Sequence, residues 1–165
     1  MPEYVLEREQ YLPYPIDEVF AFFAQAENLD FITPPWLHFR ILTPLPIVMR
    51  QGTLIDYRIR WRWVPLRWQT RITFWNPPHG FVDEQVRGPY KLWHHTHTFL
   101  AKGEGTLMMD RVRYRLPLAP LSNFLHTWLV QKDLEAIFDY RRQRVADYYS
   151  APVVSPSAAR MLEGF

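Results

Sequence analysis

The 165-residue chain has no cysteine. That excludes disulfide cross-links, thiolate metal sites and cysteine nucleophiles, and it tilts the expected compartment toward the reducing cytoplasm. Glycine is scarce, at six residues. None is arranged as a phosphate-cradling loop or a dinucleotide-binding turn, and there is no serine nucleophile elbow, so the regular enzyme signatures are missing. No segment approaches the roughly 18 consecutive apolar residues of a membrane-spanning helix. The start MPEYVLEREQ has no apolar run behind a basic stretch, so no secretory leader is expected. An excess of one charge is also missing. Nineteen Lys and Arg against 17 Asp and Glu leave +2, too little by itself to imply nucleic acid or an anionic membrane as partner. The default is a soluble cytoplasmic protein.

Rings are abundant instead. Aromatic residues make up 16% of the chain, with seven tryptophans, and hydrophobic residues 48%. A chain of this length and composition can bury a substantial core in one domain. That domain is expected over residues 1–150. The small, polar, proline-bearing stretch 151–165 is expected to be a flexible tail.

Tyr4 to Leu12 reads as a strand stopped by Pro13-Tyr14-Pro15. Pro15-Ile16-Asp17-Glu18 opens a helix, with proline at its first turn and acids at its positive end. Ile16, Val19, Phe20, Phe22 and Phe23 then recur at helical spacing. A short helix over Glu27 to Ile32 follows. From His38 the period changes to two. His38–Thr43 reads as a strand. Thr53–Trp63 alternates Ile55, Tyr57, Ile59, Trp61 and Trp63 against Asp56, Arg58, Arg60 and Arg62. Leu66–Trp75 alternates Trp68, Thr70, Ile72 and Phe74 against Arg67, Gln69, Arg71 and Thr73. Pro117–Pro120 is a break. Leu121 to about Tyr149 has no Gly or Pro and predicts a helix roughly 40 Å long, with Leu121, Phe124, Leu125, Trp128, Leu134, Ile137, Phe138 and Val145 on one face.

The stretch from Phe81 to Phe99 carries the chemistry. It reads as two strands joined at Gly88-Pro89-Tyr90. Side chains alternate in a strand, so Asp83 and Gln85 share a face with Phe81, and Trp93, His95, His97 and Phe99 share another. Downstream, a two-residue hairpin loop at Gly103-Glu104 sets the next register. It predicts Phe99 opposite Met108, His97 opposite Asp110, His95 opposite Val112 and Trp93 opposite Tyr114.

Strand, two short helices, about six antiparallel strands and a long C-terminal helix form an α+β order. The long helix is the one element large enough to cover the sheet's apolar face. From Tyr4 to about Tyr149 this order resembles the helix-grip fold of the START-like superfamily, abbreviated SRPBCC, which includes polyketide cyclases, birch-pollen allergens and lipid-transfer proteins. At motif level the chain is most similar to bacterial cyclase/dehydrase-like, ligand-binding members. The residues carrying that similarity are Pro15-Ile16-Asp17-Glu18-Val19-Phe20, Gly52 before the long strand, Asp83-Glu84-Gln85 with Gly88-Pro89-Tyr90, Trp93, His95, His97 and Asp110-Arg111-Val112. The chain also resembles domains fused to nucleotide-sugar epimerase-like proteins, whose activity is not carried over without a dinucleotide-binding glycine motif. The resemblance implies hydrophobic ligand binding between sheet and helix. It identifies no reaction, because fold does not fix function.

The residues themselves leave several readings open. Asp83, Gln85, His95, His97 and Asp110 form either a satisfied polar network that receives a ligand's polar group or, as His97, Asp110 and His95, the machinery of proton transfer. His95-x-His97 with Asp110 or Asp83 also matches three ligands of a zinc site, although such strand pairs are common by chance. No metal or cofactor is expected. The rings Tyr57, Trp61, Trp63, Trp68, Phe74, Trp93 and Tyr114 either line a cavity or pack as core, and Tyr90 and Trp128 are further ligand-binding candidates. The arginines stand opposite the rings, which fits a solvated outer face better than nucleic-acid stacking. The expected partner is a small hydrophobic molecule, with neither nucleic acid nor stable membrane insertion.

Overall fold

The computed structural model describes residues 2–117 and 129–150. Seven strands form one antiparallel sheet in the order β1-β7-β6-β5-β4-β3-β2. They are β1 (Tyr4–Leu12), β2 (Arg40–Ile41), β3 (Leu54–Trp61), β4 (Val64–Asn76), β5 (Gly80–Arg87), β6 (Leu92–Lys102) and β7 (Gly105–Arg115). Two short helices, α1 (Ile16–Phe23) and α2 (Asn28–Ile32), follow β1, and α3 (Gln131–Ser150) closes the described chain. This is the helix-grip arrangement.

α1 forms where expected. Asp17 and Glu18 occupy its first turn, and it buries Val19, Phe20, Phe22 and Phe23. At 20 residues, α3 is about 30 Å long. It buries Leu134, Phe138, Val145 and Tyr149. The upstream part of the expected helix, with Leu121, Phe124, Leu125 and Trp128, lies outside the described residues, as does the 151–165 tail. Leu134 and Phe138 join Leu6, Val112 and Tyr114 in one core cluster. Val145 and Tyr149 join Phe20, Phe23, Phe81 and Phe99 in another.

The structure departs from the expected strands in three places. The strand at His38–Thr43 shrinks to Arg40–Ile41. Pro35–Leu37 is a 3-10 turn, and His38 takes a left-handed φ of 45°, which ends extended backbone before it starts. Pro44 and Pro46, lacking N–H donors, cannot extend the ladder on the other side. Trp63 is not on the inward row of β3. That strand stops at Trp61, which pairs with Val64, so Arg62 and Trp63 form a two-residue turn and Trp63 is 91% exposed. In β4 a register shift between Ile72 and Phe74 absorbs Thr73 as an extra residue. Phe74 therefore faces out, 51% exposed, and Trp75 takes its place against Phe20, with ring centroids 5.3 Å apart.

Pro65 pairs with Arg60 inside the β3–β4 hairpin. It is tolerated because β5 pairs with β4 only from Gln69 onward, so among the described residues Val64–Trp68 have no strand neighbour on that side. The hairpin tip thus overhangs the sheet.

Candidate ligand cavity

A cavity of about 480 Å³ lies between the sheet and α3, within the range of small-molecule sites. Its walls are mostly apolar. β3 contributes Ile55, Tyr57, Ile59 and Trp61, β4 contributes Leu66, Trp68, Thr70 and Ile72, and α3 contributes Leu134, Ile137 and Phe138. Tyr90 and Trp93 close the side nearest the β5–β6 turn. The polar side-chain atoms of Tyr57, Trp61, Trp68 and Thr70 already have partners. Trp68 Nε1 donates to Thr70 Oγ1 at 3.1 Å, the Tyr57 hydroxyl lies 3.3 Å from the same oxygen, and Trp61 Nε1 donates to Asp133 Oδ2 at 2.7 Å. Burial pushes the Tyr57 and Tyr90 hydroxyls far above the ordinary tyrosine range.

The polar end is built by three adjacent strands. The pairing on β6–β7 places His97 opposite Asp110 and His95 opposite Val112, and on β5–β6 Asp83 opposite His95. His95 Nε2 lies 2.8 Å from Asp110 Oδ1, and His97 Nδ1 lies 3.1 Å from the same oxygen. On their other sides His97 Nε2 lies 2.7 Å and His95 Nδ1 3.4 Å from Asp83 Oδ2. Phe81 stacks on His97 with centroids 4.1 Å apart. Asp83, His95 and His97 line the cavity, and Asp110 stands behind the two rings.

Arg141 of α3 completes the cluster and lines the cavity as well. Its Nη2 lies 3.6 Å from Asp110 Oδ1 and 3.4 Å from His97 Nδ1. Its buried Nε has no hydrogen-bond partner among the described residues. The guanidinium instead sits over the rings of Phe23 and Phe138, 5.4 and 5.8 Å from their centroids.

Charge follows from these contacts. Burial raises the Asp110 carboxyl, but the Arg141 charge and the hydrogen bonds from both histidines outweigh it and hold the group well below the carboxylate range. Asp83 is likewise lowered: its burial is overcome by the charge of His95 and the hydrogen bond from His97. Burial and the neighbouring His97 charge push His95 down, whereas the hydrogen bonds to Asp110 and Asp83 overcome burial and push His97 up. His97 is thus the more readily protonated ring, and His95 is held toward its neutral form. An ionised Asp110 only accepts, so the His95 nitrogen facing it at 2.8 Å, Nε2, carries a proton, and the lone pair of a neutral His95 falls on Nδ1.

The family model for polyketide cyclase/dehydrase and lipid transport proteins matches residues 12–138. The chain belongs to this family. Among solved structures, a protein of Thermus thermophilus is 24% identical, with a TM-score of 0.61 over 91% of this chain and 100% of that one. A Thalictrum norcoclaurine synthase, a point mutant in complex with a transition-state analogue, is 13% identical with a TM-score of 0.64 over 90% and 98% of the two chains. A nucleoside-diphosphate sugar epimerase of Corynebacterium glutamicum is 21% identical with a TM-score of 0.66, and the match covers 86% of this chain but 28% of the epimerase. At these identities the likenesses establish the fold alone. No curated protein sequence matches the chain. Family membership and the cavity support hydrophobic ligand binding in general, and no helix among the described residues is long and apolar enough to cross a membrane.

Within this cyclase/dehydrase-family fold, the residues expected at the site divide. Tyr57, Trp61, Trp68, Asp83, Tyr90, Trp93, His95 and His97 line the cavity. Gln85 does not. Its amide clamps the β5–β6 turn, donating from Nε2 to the Tyr90 carbonyl at 2.7 Å and accepting from the Tyr90 N–H at 3.2 Å. Tyr114 is fully packed in the core beneath Tyr90 and Trp93, and burial pushes its hydroxyl up to about 12. Trp63 is exposed at the hairpin tip, and Trp128 lies outside the described residues. Arg141 and Asp133 were not expected. Arg141 reads from sequence as a cation near the negative end of the helix. Its position three residues after Phe138 and four before Val145, on the buried stripe, was the signal that it turns inward.

Asp83, His95 and His97 each offer one ligand atom within 4.8 Å of the others and so have the makings of a metal site. A cation bound there shares the site with the Arg141 guanidinium, whose Nη2 lies 3.4 Å from His97 Nδ1.

Proposed function

We propose that the protein binds a small, mainly apolar ring-bearing or acyl molecule in the cavity between sheet and α3, with a polar group of that molecule meeting Asp83, His95, His97 and Arg141. The observation carrying this reading is a mostly apolar cavity of about 480 Å³ with Asp83, His95, His97 and Arg141 gathered at one end. Native mass spectrometry of protein taken from its own cell extract tests it, followed by denaturing analysis of what is released. A stoichiometric small molecule that Ile137→Trp, a substitution projecting into the cavity, fails to retain is the expected result. A retained molecule indifferent to that substitution sinks the reading.

The lone pair on His95 Nδ1 favours a second reading, a cyclase/dehydratase-type proton transfer on a carbonyl ligand. The fixed tautomer supplies a base, and Asp110 stabilises the imidazolium that forms. If this is right, the released ligand exchanges a carbon-bound proton in D2O with wild-type protein. His95→Ala and Asp110→Asn abolish that exchange while binding persists. Exchange that survives both substitutions rules the reading out.

A further inference from the structure

The outer face of the β3–β4 overhang carries an arrangement that the cavity does not use. Arg40, Arg58 and Arg67 stand directly opposite one another on three consecutive strands, where like charges destabilise the pairing. Arg60 and Arg87 flank them on the same face, and all five are exposed. Among the described residues none of the five makes an ion pair, whereas Arg62, Arg111 and Arg113 do. At the end of this row Trp63 projects with 91% of its surface exposed and Val64 beside it at 52%. Trp61, Val64 and Leu66, which surround the turn, also line the cavity. Trp61 and Arg62 pin the overhang to Asp133 of α3.

We infer that this overhanging hairpin is a docking surface for an anionic lipid bilayer. An unneutralised arginine row is complementary to anionic headgroups, and an indole beside it is suited to the headgroup boundary. A single-stranded nucleic acid is the poorer fit, because no rings are interleaved with the arginines of this row: Trp63 stands at its end and Phe74 near the far end of β4. The docking rests on the surface alone and is independent of the proposed ligand binding.

The test is cosedimentation of the full chain with vesicles of equal parts phosphatidylcholine and phosphatidylglycerol, and with phosphatidylcholine alone. Binding to the anionic vesicles only, weakened by added salt, is expected. Arg58→Gln and Arg67→Gln each weaken partition about fivefold, the effect of one cation near the surface. Trp63→Ala weakens it further, with an unchanged circular dichroism spectrum. No binding, equal binding to both vesicles, indifference to all three substitutions, or tighter binding to a uridine oligonucleotide at the same salt overturns the inference. Uptake of a soluble apolar dye without vesicles reads the cavity separately, so loss of docking and loss of ligand binding are told apart.

Discussion

Single residues in the polar cluster decide how the protein responds to pH. Asp83 and Asp110 have folded pKa values below the ordinary value of 3.8. Their contribution to stability is complete above that value and is lost as pH falls toward the depressed folded values. His97 titrates above its ordinary 6.5, so it stabilises below 6.5 and ceases to do so as pH climbs through the raised value. His95, lowered from 6.5, acts in the opposite sense: the unfolded chain takes its proton first as pH drops below 6.5. Urea titrations across pH are therefore expected to show a loss of stability beginning below 6.5 and steepening in the carboxylate range. Asp110→Asn removes part of the carboxylate limb and lowers the raised pKa of His97, which histidine-resolved NMR titration reads directly. An unshifted His97 resonance would refute the protonation scheme.

A second residue-scale test concerns the β5–β6 turn. A Cβ on Gly88 would fall 2.3 Å from Gln85 Oε1. Gly88→Ala must displace that amide and break both bonds to Tyr90, at a cost of about 1–3 kcal/mol. Equilibrium unfolding is expected to show this loss.

At the scale of elements, the bulge in β4 decides which ring is core. Trp75→Ala is expected to cost about 3 kcal/mol, whereas Phe74→Ala stays within about 0.5 kcal/mol. The strict alternation of the sequence predicts the reverse ranking, so chemical denaturation of the two variants settles the register. The comparison also shows why some of the fold was legible and some not. The β6–β7 register followed from one turn, since Gly103-Glu104 fixes the loop length and every partner down to Trp93 and Tyr114 then follows. Alternation in β4 carried no mark of an inserted residue, because Thr73 suits a strand as well as a bulge. Trp63 alternates correctly and still faces water, since a hairpin turn chose the two residues Arg62 and Trp63. Arg141 was hidden by its chemistry rather than its position: a helical stripe of Leu134, Phe138 and Val145 predicts an inward residue there, but a charge reads as surface until its partners Asp110 and His97 are known.

For the whole molecule, ligand binding and stability are linked. A ligand that occupies the cavity only in the folded state at about 100 times its dissociation constant adds about 2.7 kcal/mol. For a chain of this size that corresponds to a rise in Tm of roughly 5–10 °C. Differential scanning calorimetry with the released molecule is expected to show this rise for wild type and little for Ile137→Trp. An equal rise in both would place the binding elsewhere.

The placement of two carboxylates on β5 and β7, with both histidines on the strand between, also governs how the chain avoids wrong structures. A slip of one residue along either ladder would turn the imidazoles outward and strand Asp83 or Asp110 in an apolar interior without a donor. Misaligned sheets are therefore far higher in energy than their backbone hydrogen bonds alone would make them. The groups best placed to meet a ligand also widen the gap between the native fold and its nearest competitors.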